Sequence, residues 1–79
     1  MSAYLESLRE TAGMGGPAAQ LANELLVIAD QKATGDLTEE EYQYLLSEIA
    51  AIRAQQDLAN DEIACRYIVS MAQALSQFA

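Results

Sequence analysis

Eight residues, Gly35-Asp36-Leu37-Thr38-Glu39-Glu40-Glu41-Tyr42, stop one helix, turn the chain and start another. They commit its middle to an antiparallel helical hairpin. Gly35 can take the left-handed conformation that closes a helix C-terminus, which other residues reach only at a steric cost. The Thr38 hydroxyl oxygen is placed to accept from an amide in the next helix's first turn, and the Glu41 carboxylate can accept in return from the Thr38 amide. That is a capping box. Leu37 before the cap and Tyr42 at the fourth helical position are spaced as a hydrophobic staple. Glu39, Glu40 and Glu41 lie at the positive end of the helix dipole, where each carboxylate contributes about 0.3–1 kcal/mol at low salt.

After Gly35 the chain has neither Gly nor Pro, so the rest is strongly helix-forming. Tyr42, Leu45, Leu46, Ile49 and Ile52 recur at helical spacing, as do Ile63, Tyr67, Ile68, Met71, Leu75 and Phe78. Between the two sets, Asp57 or Asn60 can cap a further helix. The apolar phase can also be carried through by Ile52, Gln56, Ala59 and Ile63, which would give one helix of about 60 Å. A break is favoured, because a globular fold needs the last helix to fold back.

Before the turn, Gly13, Gly15, Gly16 and Pro17 separate a short leading helix from the rest. Ser2 can cap that helix from Ala3 to about Thr11, with Tyr4, Leu5 and Leu8 on one face. Pro17 suits the first turn of the second helix, which runs to about Thr34. Its wide apolar face is built from Leu21, Leu25 and Ile28, with Ala22, Leu26 and Ala29 alongside. The expected architecture is a single all-α domain over residues 1–79, a three- to four-helix bundle. Residues 1–16 form a leading helix and Gly-rich linker, and residues 17–79 form the capped hairpin, Pro17–Thr34 against Glu39–Gln55, plus a C-terminal helix.

A chain of 79 residues buries only about 60% of its unfolded surface, yet 52% of its residues are apolar. Self-association would resolve that tension, and the stripe from Ile63 to Phe78 is the expected contact: Ile63, Tyr67, Ile68, Met71, Leu75 and Phe78, with Tyr44 as an exposed contact beside them. A net charge of −8 disfavours nucleic acid and anionic membranes and favours a basic protein partner. Without His or Trp and with one cysteine, Cys65, the chain holds no Cys/His or Ser/His nucleophile pair and no zinc site of the usual kind. No cofactor is expected, and the Glu39–Glu41 acids are expected to be solvated rather than catalytic. Gly13 to Pro17 lacks the lysine and strand of a phosphate loop and reads as a linker. Cys65 lies beside the apolar stripe and is expected as a half-buried small hydrophobe. Arg53 and Arg66 can pair with Glu48, Asp57 or Glu62. With no basic-then-apolar leader and no apolar run near 20 residues, a cytoplasmic setting is expected, or a virus particle if the chain is phage-encoded.

Two resemblances attach to the turn. Asp30 to Glu41 has the length of an EF-hand calcium loop, with Asp30 first, Gly35 sixth, Leu37 eighth, Thr38 ninth and Glu41 last. Its third and fifth positions are Lys32 and Thr34, and an ammonium at a ligand position opposes calcium, which is therefore disfavoured. Lys32, Gly35, Leu37, Thr38, Glu40, Glu41, Tyr42, Leu45, Leu46 and Ile49 resemble SHOCT-like domains, short helical hairpins, over about Leu25 to Ile52. Tyr44 and Leu46 stand where that family usually carries lysines. The resemblance implies oligomerisation or attachment to other domains, and comparable small hairpins are common in short bacterial and bacteriophage proteins. The functional expectation is a non-enzymatic interaction or structural module that self-associates, with an acidic inhibitor occupying a basic groove on a host enzyme as the alternative.

Overall fold

A computed structural model describes residues 2–77. Four helices follow one another: α1 (Ser2–Ala12), α2 (Pro17–Ala33), α3 (residues 39–57) and α4 (Glu62–Ser76). The fold is all-α, and among the described residues there is no strand. Cross-helix pairs fix the directions. Lys32 meets Glu39 beside the turn and Glu24 meets Arg53 farther from it, so α2 and α3 are antiparallel. Tyr42 meets Leu75 and Gln43 meets Ser76, which makes α3 and α4 antiparallel as well.

The hairpin turn forms as its residues dictate. Gly35 sits at φ +83°, the Asp36 amide donates to the Gln31 carbonyl at 2.8 Å and the Gly35 amide to the Lys32 carbonyl at 3.2 Å. These are the two bonds of a Schellman closure, and they satisfy carbonyls the helix leaves open. The Glu41 amide donates to Thr38 Oγ1 at 3.1 Å and the Thr38 amide to Glu41 Oε1 at 2.8 Å, so the capping box is complete. Leu37 and Tyr42 belong to the same apolar cluster. Helix α2 ends at Ala33 with Thr34 as its cap, one residue before the expected end.

The chain does break before its last helix, but at a different cap. Asp61 fills that position, its Oδ1 accepting from the Ala64 amide at 3.1 Å, where Asp57 or Asn60 was expected. Asp57 instead closes α3, two residues beyond the expected Gln55.

Helix α3 is interrupted from within. Ile49–Arg53 forms a π-helical turn, and the Ala54 amide reaches back five residues to the Ile49 carbonyl. The buried positions consequently run Tyr42, Leu46, Ile49, Ala54, Leu58, with one step of five. A regular helix would have turned residue 53, an arginine, into the core; the extra residue puts Ala54 there and carries Arg53 to the flank. Ile52 thereby leaves the apolar row where its spacing had placed it and is about half exposed.

Leu8 from α1, Leu21, Ala22, Leu25 and Ile28 from α2, and Ile68, Ala72 and Leu75 from α4 complete one core with the α3 residues. No buried side-chain nitrogen or oxygen among the described residues lacks a partner. Helix α1 packs chiefly on α2, which supplies the docking that so short a helix requires. It starts at Ser2, whose side chain, the expected cap, lies outside the described positions.

Candidate interaction surface

The expected contact stripe of α4 divides on folding. Ile68 and Leu75 are fully enclosed and belong to the chain's own core, so they are not available to a partner. The reason is geometric: one helix face cannot cover α2 and α3 and also stay open, and a single domain of this size spends its best stripe on itself. Tyr67 and Met71 are half-buried against the same core. Phe78 lies outside the described residues. Among the described members of the set Ile63 alone is open, 83% exposed at the first turn of α4.

Tyr67 also closes a polar contact no spacing rule forecasts. Its hydroxyl lies within hydrogen-bond distance of Ser7 Oγ, and Thr11 Oγ1 donates to it at 3.2 Å, which ties α4 to α1. Tyr44 stands clear of the core at 66% exposed, as expected, and Cys65 is half-buried.

The residue missed in the sequence is Met14. It sits in the α1–α2 loop at 81% exposed, and it lines the same cleft as Ile63. The signal was there: an apolar side chain inside a glycine cluster has no helix face to join. Gly15 and Gly16, at φ +82° and +91°, carry the loop round to Pro17 at the start of α2. The cleft between this loop and the start of α4 has a volume of about 760 Å³, and Pro17, Ala18, Leu58, Ala64 and the Tyr67 ring give it a carbon-rich wall. Asp57, Asn60 and Asp61 line it as well. Asp57 is 3.5 Å from Arg53, which it shares with Glu24.

Elsewhere, among the described residues, Lys32, Arg53 and Arg66 each pair with a carboxylate, while most of the acids form no ion pair. Arg53 meets both oxygens of Glu24 at 2.8 Å, and this carboxylate raises the guanidinium pKa further. The amide of Gln43, followed by the ammonium of Lys32, holds the Glu39 carboxyl below its ordinary value. Lys32 Nζ also lies 5.3 Å from the centre of the Tyr42 ring. Glu62 and Arg66 pair at 3.1 Å on the outside of α4. In the stretch that resembles a calcium loop, Thr34 Oγ1 donates to Asp36 and Glu41 is engaged by the Thr38 amide. Among the described residues no three His, Cys, Asp or Glu side chains come together as a metal-holding group, and no helix is long and apolar enough to cross a membrane.

Comparison with family models, with curated proteins and with solved structures returned no match.

Proposed function

We propose that this chain is a non-enzymatic protein–protein interaction module of the cytoplasm: a small acidic four-helix bundle that works by packing against another protein. The observation that carries the reading is the exposure of Met14, Tyr44 and Ile63, three large apolar side chains each more than 60% open. The core is already complete without them, so folding does not need them. Apolar side chains gathered in one exposed place, as Met14 and Ile63 are in a single cleft, mark a contact surface, whereas scattered ones do not. The buried α4 stripe weighs against the simplest form of self-association, which required Ile68 and Leu75 on the outside. The excess of acidic groups favours a basic partner, including the groove of an enzyme that the module would inhibit. The hairpin's likeness to SHOCT-like domains is compatible with either role.

The test is capture of the tagged chain from its native cytoplasm at low and high salt, paired with light scattering of the purified protein. One stoichiometric basic partner, released as salt rises, supports the module in its inhibitory or regulatory form. A salt-insensitive assembly of the chain with itself supports the self-associating form. A monomer that recovers no partner at either salt overturns the reading.

A further inference from the structure

We infer that the cleft between the α1–α2 loop and the start of α4 is the docking site, and that its occupant is a cationic amphipathic segment of another protein, apolar on one face and lysine- or arginine-bearing on the other. This rests on the reading of the chain as an interaction module and names the partner's chemistry. Among the described residues the two most exposed large apolar side chains, Ile63 and Met14, come from elements far apart in sequence and line this one cleft. An unbranched methionine on a glycine-flanked loop adapts its shape to an incoming side chain at little cost. The Tyr67 hydroxyl is already engaged by Ser7 and Thr11, so its ring adds carbon surface without an unmet polar group.

Charge decides between occupants. Asp57 and Asp61 are among the residues that line the cleft; Arg53 lies 3.5 Å from Asp57, and among the described residues no cation pairs with Asp61. A second copy docked face to face would bring the same acids together, in a protein whose net charge is −8. Like charges across an interface oppose association, whereas lysines or arginines flanking an apolar anchor meet the acids directly. A cleft of about 760 Å³ has room for several apolar side chains from one face of a helix.

The probe is a fluorescein-labelled synthetic helical peptide with leucines on one face and lysines on the other, read by fluorescence anisotropy against the full chain. A peptide with glutamates in place of the lysines is the control. The wild type should bind the lysine peptide, and Ile63→Ser and Met14→Ser should each weaken binding about tenfold. Asp61→Asn keeps a capping oxygen while removing the charge, so it should weaken binding at low salt and leave it unchanged at high salt. Tyr44→Ser, away from the cleft, should bind as the wild type does. Melting curves verify that each variant folds. The inference is overturned if the Ile63 and Met14 variants bind like wild type, if the glutamate peptide binds equally well, or if Ile63→Ser dissociates a wild-type dimer. Loss of binding in Tyr44→Ser alone would reject the cleft while leaving the interaction module standing.

Discussion

Arg53 grips Glu24 through two parallel hydrogen bonds of 2.8 Å, and it does so from the last residue of the π-helical turn in α3. The distortion and the ion pair are one device. The turn moves the arginine off the core row, and α2 offers a carboxylate where it emerges. A two-bond pair fixes direction as well as distance, which a lysine cannot reproduce. Arg53→Lys should therefore lower the melting temperature at low salt, by less than a core truncation such as Leu46→Ala, and the difference should shrink as salt rises. Thermal melts of both variants across a salt series check this; equal melting of Arg53→Lys and wild type at low salt would show that the second bond contributes nothing.

If the π turn holds one residue more than a regular helix needs, taking one out should be tolerated and adding one should not. Deleting Ala51 leaves Ile49 and Ala54 four apart, ordinary helical neighbours on one face. Its stability should stay within about 1 kcal/mol of wild type. An alanine inserted after Ala51 rotates Ala54 and Leu58 by about 100° from the core and should cost more than about 3 kcal/mol. Chemical denaturation of the two variants separates these outcomes, and comparable losses in both would mean that the extra residue is structurally required.

The hairpin turn allows its two halves to be tested apart. A Cβ added at Gly35 would meet nothing within 4 Å, so the cost of substitution there is conformational alone. Gly35→Ala should lose about 1–2 kcal/mol, and Gly35→Asn less, since Asn tolerates the left-handed region. Thr38→Ala removes the acceptor for the Glu41 amide and should cost about 1 kcal/mol. Denaturant midpoints give both numbers; an unchanged midpoint for Thr38→Ala would show that the cap is open in solution.

That turn was legible because every signal in it is local: glycine, cap, staple and acids act within eight residues. The break before α4 was half legible. Asp57, Asn60 and Asp61 are all competent caps, and the choice of Asp61 depends on where the core lets α4 begin. The π turn left no mark, since Ile49-Ala50-Ala51-Ile52-Arg53 holds neither Gly nor Pro, and only the third-dimensional cost of burying Arg53 calls for it. For the same reason the α4 stripe was legible as apolar but its division was not, with Ile68 and Leu75 in the chain's own core and Ile63 exposed: periodicity reveals a face and not what covers it. Met14 was hidden in the glycine cluster, where no periodicity exists to be broken.

Glu39 links the hairpin to pH. Its carboxyl accepts from the Gln43 side chain at 2.8 Å and lies 3.3 Å from Lys32 Nζ, and these contacts, the Gln43 bond first, pull its pKa below 4.5. A carboxyl depressed in the fold adds stability that is present above its unfolded value and disappears as pH falls through the folded one. Stability should thus decline on acidification below about pH 4.5, and Glu39→Gln should flatten part of that decline. Urea midpoints at stepped pH test it, and parallel acid profiles for variant and wild type would assign the decline to other carboxylates.

Tyr42 sets the opposite limit. Its ring is enclosed, and its hydroxyl donates to the Leu75 carbonyl in the last turn of α4 at 2.8 Å, so one side chain bolts the capped start of α3 to the end of the bundle. Burial, and secondarily the Glu39 charge, raise the phenol above 10.0. A phenol raised in the fold contributes stability that is intact below its unfolded value and is lost as pH rises through the folded one, because the phenolate can neither donate to the carbonyl nor stay dry. Tyr42→Phe keeps the packing but leaves the Leu75 carbonyl without this donor, and should cost about 1–2 kcal/mol at neutral pH. It should also remove the part of the alkaline loss that belongs to this group. Ultraviolet titration of the tyrosines beside circular dichroism provides the check: one phenol should ionise late and together with unfolding in the wild type, and that late step should be absent in the variant. A wild-type titration that matches the variant's, with no step tied to unfolding, would mean that Tyr42 is wet and its bond to Leu75 is not made.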